Sequence, residues 1–128
     1  MIGYQTVGTN KLDKAVEFYD VLMAEIGAVR VMEEAGSFVL WSQAPDTPGF
    51  CVHVPYDGKK ATVGNGSMTA FAMENSEMVD KMYALAMKLG ASDEGPAGPR
   101  GDDGFYAGFC RDLDGNKLNF FCMTEPKT

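Results

Sequence analysis

Leu12-Asp13-Lys14-Ala15-Val16-Glu17-Phe18-Tyr19-Asp20-Val21-Leu22-Met23-Ala24-Glu25-Ile26-Gly27-Ala28 is the stretch from which the fold can be read. Leu12, Ala15, Val16, Tyr19, Leu22, Met23 and Ile26 recur at helical spacing, so one face of a helix is apolar and the other is not. Asn10 precedes the run as the expected N-cap, and Gly27 follows it as a left-handed stop. A helix apolar on one side only must lie on something, and the flanking sequence supplies strands. Tyr4–Thr9, Val29–Glu34, Ser37–Trp41 and Phe50–Val54 surround it, with Ala35-Gly36 as a tight turn.

The same order returns downstream. Val16 and Val79, Gly27 and Gly90, Leu22 and Leu85, and Thr6 and Thr69 each stand 63 positions apart. A second helix follows Asn75 or Ser76 with Met78, Val79, Met82, Leu85, Ala86 and Leu89 on one stripe, and it ends at Gly90. Strands are expected at Ser67–Ala72, Phe105–Arg111 and Lys117–Cys122. Asp114-Gly115, backed by Asn116, is the strongest hairpin signal in the chain, and Asn65-Gly66 is a turn ahead of a strand. Gly90 to Gly104, with Pro96, Pro99 and five glycines, reads as the loosest segment but is too short to divide two cores. The predicted class is α+β: a duplicated β-α-β-β-β unit forming a curled mixed sheet, a cup with both helices on its outer face.

Composition limits the function. In 128 residues, 18 acidic against 11 basic side chains give a net charge of −7, which leaves no basic footprint for nucleic acid or an anionic membrane. No apolar run reaches the length of a membrane-spanning helix, and Met1-Ile2-Gly3-Tyr4-Gln5 does not open a secretory signal. Cys51, Cys110 and Cys122 are odd in number and lack Cys-x-x-Cys spacing, which predicts a reduced, cytoplasmic protein. His53 is the single histidine, so no site built on two histidines can form within one chain. Arg111-Asp112 with Asp114 is not a calcium loop, because Lys117 and Met123 stand where its glycine and glutamate belong. Gly64-Asn65-Gly66 has no Gly-Lys-Ser/Thr behind it and is a turn, not a phosphate cradle.

Three segments carry a resemblance. Leu12–Tyr19, with Phe18-Tyr19 inside the helix, resembles the first helix of the vicinal oxygen chelate superfamily, which holds glyoxalase I, bleomycin-resistance proteins and extradiol dioxygenases. Arg111-Asp112-Leu113-Asp114-Gly115-Asn116-Lys117-Leu118 resembles that family's last hairpin. Gly64-Asn65-Gly66-Ser67-Met68-Thr69-Ala70-Phe71 is similar to the opening of its second module. The resemblance spans residues 1–128 as one glyoxalase/bleomycin-resistance-like domain, with module one at about 1–57 and module two at about 66–124.

It implies a cup in which His, Gln or Glu side chains of relatives hold a divalent metal. Carried over, those positions fall on Tyr4 or Gln5, on Cys51 or His53, on Met68 and on Asn119. Thioether, phenol and carboxamide make a poor donor set for such an ion, so no cofactor is assigned, and a divalent metal stands only as an implication of the family. Tyr4, Trp41, Cys51, Met68, Tyr106, Arg111, Asn119 and Phe121 are the expected substrate-binding residues, and Met68 suits an adaptable apolar pocket. Arg100 and Arg111 are either contacts for an anionic ligand group or solvated surface ions. His53 is the one imidazole available as a catalytic base, and Cys51 lies beside it on the same strand face. The resemblance implies a lyase or isomerase acting on a small organic molecule, or alternatively a metal-free binding protein of the resistance type. A homodimer completing the cup is implied in the same way.

Overall fold

The first helical stripe buries Ala15, Phe18, Tyr19, Leu22 and Met23 along α1 (Leu12–Glu25), and it does so against a sheet of four strands. The computed structural model describes residues 1–124. They divide into two compact units, the second starting at Gly66. In the first unit β1 (Tyr4–Gly8), β2 (Val29–Glu34), β3 (Phe38–Ser42) and β4 (Gly49–His53) join in the order β1-β4-β3-β2, with β1 parallel to β4 and the rest antiparallel. Strand residues alternate between faces, and the register places Val39, Trp41, Phe50 and Val52 on the helix side. There the Tyr19 ring lies 4.8 Å from that of Phe50 and 5.9 Å from that of Trp41.

The helix does not begin as its sequence suggests. Lys11 is the cap residue and no side chain caps the helix end. Asn10 instead clamps the segment that follows β4, accepting from Ala61 N at 2.7 Å and donating to Ala61 O at 3.2 Å. A longer-range pair of hydrogen bonds has thus won over the local cap. The C-terminus follows expectation: Gly27 has φ +76°, and Ala28 N donates back to Met23 O at 2.9 Å.

In the second unit β5 (Thr69–Ala72), β6 (Ser92–Pro99), β7 (Phe105–Arg111) and β8 (Lys117–Met123) repeat the arrangement as β5-β8-β7-β6, with β5 parallel to β8. The helix α2 (Ser76–Lys88) is capped by Asn75, whose side-chain oxygen accepts from Met78 N at 2.9 Å. Val79, Met82 and Ala86 are buried along α2, and Cys110, Leu118 and Phe120 are buried on the strands it covers. Gly108 permits the close approach, since a Cβ there would stand 3.1 Å from the Tyr83 ring. The two β-α-β-β-β modules expected from the repeat are both present. The stretch that reads as the loosest is β6, an edge strand whose pairing with β7 shifts register twice.

The Asp114-Gly115 turn is held from within. Asp112 Oδ1 accepts from Asp114 N and Asn116 N, each at 2.9 Å, and Oδ2 accepts from Asn116 Nδ2 at 3.0 Å. Both Asp112 and Asn116 are buried. Asp112→Ala removes all three hydrogen bonds at once and is expected to lower stability by about 3 kcal/mol, measured by urea unfolding. A loss under about 0.5 kcal/mol, the range of an ordinary surface change, would show that the carboxylate does not organise the turn.

Candidate binding faces

One helix covers one face of each sheet, and the residues of interest fall on the other face or fail to reach it. In the first sheet, alternation from the helix-side Phe50 and Val52 puts Cys51 and His53 on the helix-free face, with Tyr4 and Thr6 of β1 and Phe38 and Leu40 of β3. His53 is half-buried, Cys51 is buried and Tyr4 is 64% exposed. Cys51 and His53 do share a face, as two residues apart on a strand must. The thiol, however, is not activated: burial pushes the Cys51 pKa up, and its S–H has only the Val52 carbonyl at 3.7 Å. Gln5, the one-residue alternative to Tyr4, has the opposite parity, and its amide nitrogen donates to Thr6 O at 3.4 Å.

Trp41 does not reach this face. It is 1% exposed on the helix side, packed on Tyr19, and its Nε1 donates to Asp20 Oδ1 at 3.0 Å. The same carboxylate takes Arg30 Nε at 2.9 Å, and the Arg30 guanidinium beside it lowers the Asp20 pKa. Trp41 is therefore core. Tyr106 is misplaced in the same way: it lies on the α2 side of β7, where its hydroxyl donates to Asp80 of that helix, a bond that together with burial raises its pKa.

The second sheet gathers more of the expected residues. Register places Asn119 opposite Ala70 and Phe109, and Phe121 opposite Ala72 and Ala107, all on the helix-free face. Phe105 joins them, its ring 5.9 Å from that of Phe121. Phe105 and Phe109 are not among the expected binding residues, although strict alternation from Phe121 and Asn119 through the hairpin picks out both. Arg111 occupies the same face, where its Nε donates to Glu94 and its Nη1 to Gly115 O at 3.0 Å; the guanidinium holds the Glu94 carboxyl below its usual range. Arg100 stacks its guanidinium 5.6 Å from the Phe109 centroid and donates to Pro96 O at 2.6 Å and Gly98 O at 2.9 Å. Both arginines thus have protein partners. Met68 precedes β5 and is 43% exposed.

The positions that the resemblance assigns to a metal hold the phenol of Tyr4 or the carboxamide of Gln5, Cys51 or His53, the thioether of Met68 and the carboxamide of Asn119. No three His, Cys, Asp or Glu side chains among the described residues come together as a metal-holding group. The chemistry of these donors does not fit a divalent first-row ion. Among the described residues no helix is long and apolar enough to cross a membrane.

Two β-α-β-β-β modules, each leaving one sheet face free of helix, define a paired-module α+β fold. The profile of the Glyoxalase/Bleomycin resistance protein/Dioxygenase superfamily matches residues 2–120, and the chain belongs to that superfamily. A glyoxalase/bleomycin resistance protein from Albidiferax ferrireducens T118 shares 31% identity and superposes with a TM-score of 0.85, covering 97% of this chain and 99% of that one. A glyoxalase/bleomycin resistance protein/dioxygenase family enzyme from Burkholderia phytofirmans PsJN has a TM-score of 0.76 at 14% identity, covering 95% and 98%. Lactoylglutathione lyase from Agrobacterium tumefaciens has a TM-score of 0.70 at 18% identity, covering 95% and 92%, and like the preceding one it speaks for the fold alone. Among curated proteins none matches the chain.

The three thiols allow a direct check on whether Cys51 is a nucleophile. Burial raises all three, and the nearby Asp112 and Asp93 charges help push Cys110 up to about 12. The thiolate fraction near pH 7 is correspondingly small, so native protein should alkylate with iodoacetamide far more slowly than free cysteine and react fully once unfolded. Rapid labelling of Cys51 in folded protein, located by peptide mass spectrometry, would restore it as a reactive group.

Proposed function

We propose that this chain binds a small organic molecule on its helix-free sheet faces without a resident divalent metal, as a sequestering, resistance-type member of its superfamily. The donor set carries this reading. By the family resemblance the ligand positions fall on Tyr4 or Gln5, Cys51 or His53, Met68 and Asn119, a set with at most one imidazole or thiol and no carboxylate, where such an ion selects several. The chelate chemistry of the family uses the metal as a Lewis acid, a role that this donor set does not support. Met68, Phe105, Phe109 and Phe121 supply the apolar surface expected of a binding face, while Asn119 supplies a polar point of recognition. Residues 1–128 act as one functional domain in this reading, in the cytoplasm and as a homodimer.

A second reading is a glyoxalase-like lyase or isomerase in which His53 is the base. It is favoured by one observation, the half-buried imidazole of β4 on the helix-free face. Two measurements separate the readings. Calorimetric titration of nickel and of zinc into chelator-treated protein is expected to show no tight site; about one per chain would overturn the metal-free reading. Turnover assayed with a panel of hemithioacetals is expected to be absent in the parent protein. Turnover that His53→Ala abolishes would establish the lyase instead.

A further inference from the structure

We propose that Asn119 selects the ligand class: the molecule bound on the second sheet is a neutral aromatic compound that donates an N–H or O–H to Asn119 Oδ1. This rests on the binding function proposed above and adds which chemistry the face accepts. Asn119 is 3% exposed, and its Oδ1 is a buried side-chain acceptor with no hydrogen-bond partner among the described residues. Native proteins rarely leave such an atom unmatched, because its desolvation is not recovered. A ligand donor recovers it once the carboxamide turns toward the face, since Oδ1 has almost no accessible surface as it stands.

The surroundings define the rest of the ligand. On one side of Asn119 stands Ala70, and Ala72 and Ala107 flank Phe121 two residues further along β8. Ala70 and Ala72 are exposed, and their small side chains leave a low floor. On the other side Phe109 is directly across from Asn119, and Phe105 pairs its ring with Phe121. A flat apolar ring laid on that floor would meet the ring wall, and aromatic pairs favour such offset or edge contacts.

Charge argues against an anionic ligand. Arg111 is engaged by Glu94, Arg100 by backbone carbonyls and the Phe109 ring, and Lys117 Nζ lies 5.5 Å from the centroid of that ring. Lys117 also acts on Glu94, whose carboxyl it helps to keep ionised. The cations of this face are already matched, and a carboxylate oxygen would meet Asn119 Oδ1 as acceptor against acceptor. A donor-bearing neutral ring meets neither obstacle.

Matched probes test the inference on the whole chain. Benzamide and phenol carry a ring and a donor; N,N-dimethylbenzamide and anisole keep the ring and lose the donor; benzoate replaces it with an anion. Titrations followed by 1H–15N spectra of labelled protein should show benzamide and phenol binding about tenfold more tightly than their methylated counterparts. They should shift the Asn119 side-chain amide and the Ala70 and Ala107 backbone signals. In Asn119→Leu the ratio should fall to about one while ring binding persists. If that variant does not fold, the ratio in the parent protein decides alone.

Equal binding of capped and uncapped probes at this face would overturn the role of Asn119, with a trapped water satisfying the oxygen, and would leave the binding function standing. Tighter binding of benzoate would overturn it as well. No shift of the Ala70, Ala107 or Phe121 signals by any probe would remove the binding face itself, and the inference with it.

Discussion

A single helix cannot cover both faces of a four-stranded sheet, and the rest of this structure follows from that limit. In the first module the helix side is closed by Tyr19 against Trp41 and Phe50. In the second it is closed by Val79, Met82 and Ala86 over Leu118 and Phe120. These contacts hold most of the apolar area that the modules remove from water, and burial of that area is the main favourable term in their stability. What remains is one helix-free face per module, carrying residues that packing against a helix does not dictate. The chemistry of the chain is therefore concentrated where its core is not.

The Asp112 turn links this division to the candidate site. By tying Asn116 through backbone and side chain, it starts β8 at Lys117 and sets which residues of that strand point away from α2. A slip of one residue would exchange Asn119 and Phe121 for Leu118 and Phe120, moving a carboxamide into the core. The buried carboxylate and the unmatched carboxamide oxygen are thus parts of one arrangement: the first secures the register that places the second.

The two modules differ at their edge strands. The edge strand β2 carries exposed Val29, Val31 and Met32, whereas β6 is built from Ser92, Asp93, Gly95, Pro96, Gly98 and Pro99. Alternating apolar side chains made β2 legible as a strand. In β6 no alternation exists, because glycine or proline stands at positions 95, 96, 98 and 99 and the register shifts at Asp93/Gly95 and Gly95/Gly98. Composition therefore points to a loop, while tertiary pairing with β7 imposes a strand. The Asn10 cap failed for a related reason: a side chain near a helix start had a distant backbone partner at Ala61 that local spacing does not reveal.

Periodicity and repeat spacing by themselves determined the two helices, the β-α-β-β-β duplication, the Asp114-Gly115 hairpin and the kinship to the superfamily. These depend on residues close together in the chain, or on a shift of 63 that survives in plain identities. They also placed Cys51 beside His53, and Asn119 with Phe121, because parity along one strand is a local property. Which face each strand turned to its helix was decided only in three dimensions. Trp41 and Tyr106 went to the helix side, where Asp20 and Asp80 receive their donors, and Phe105 and Phe109 took the opposite side. A strand's pattern says that its residues alternate; only the element packed against it says which half is buried. The physical reason is that parity is set by the backbone, whereas facing is set by the surface the helix must cover.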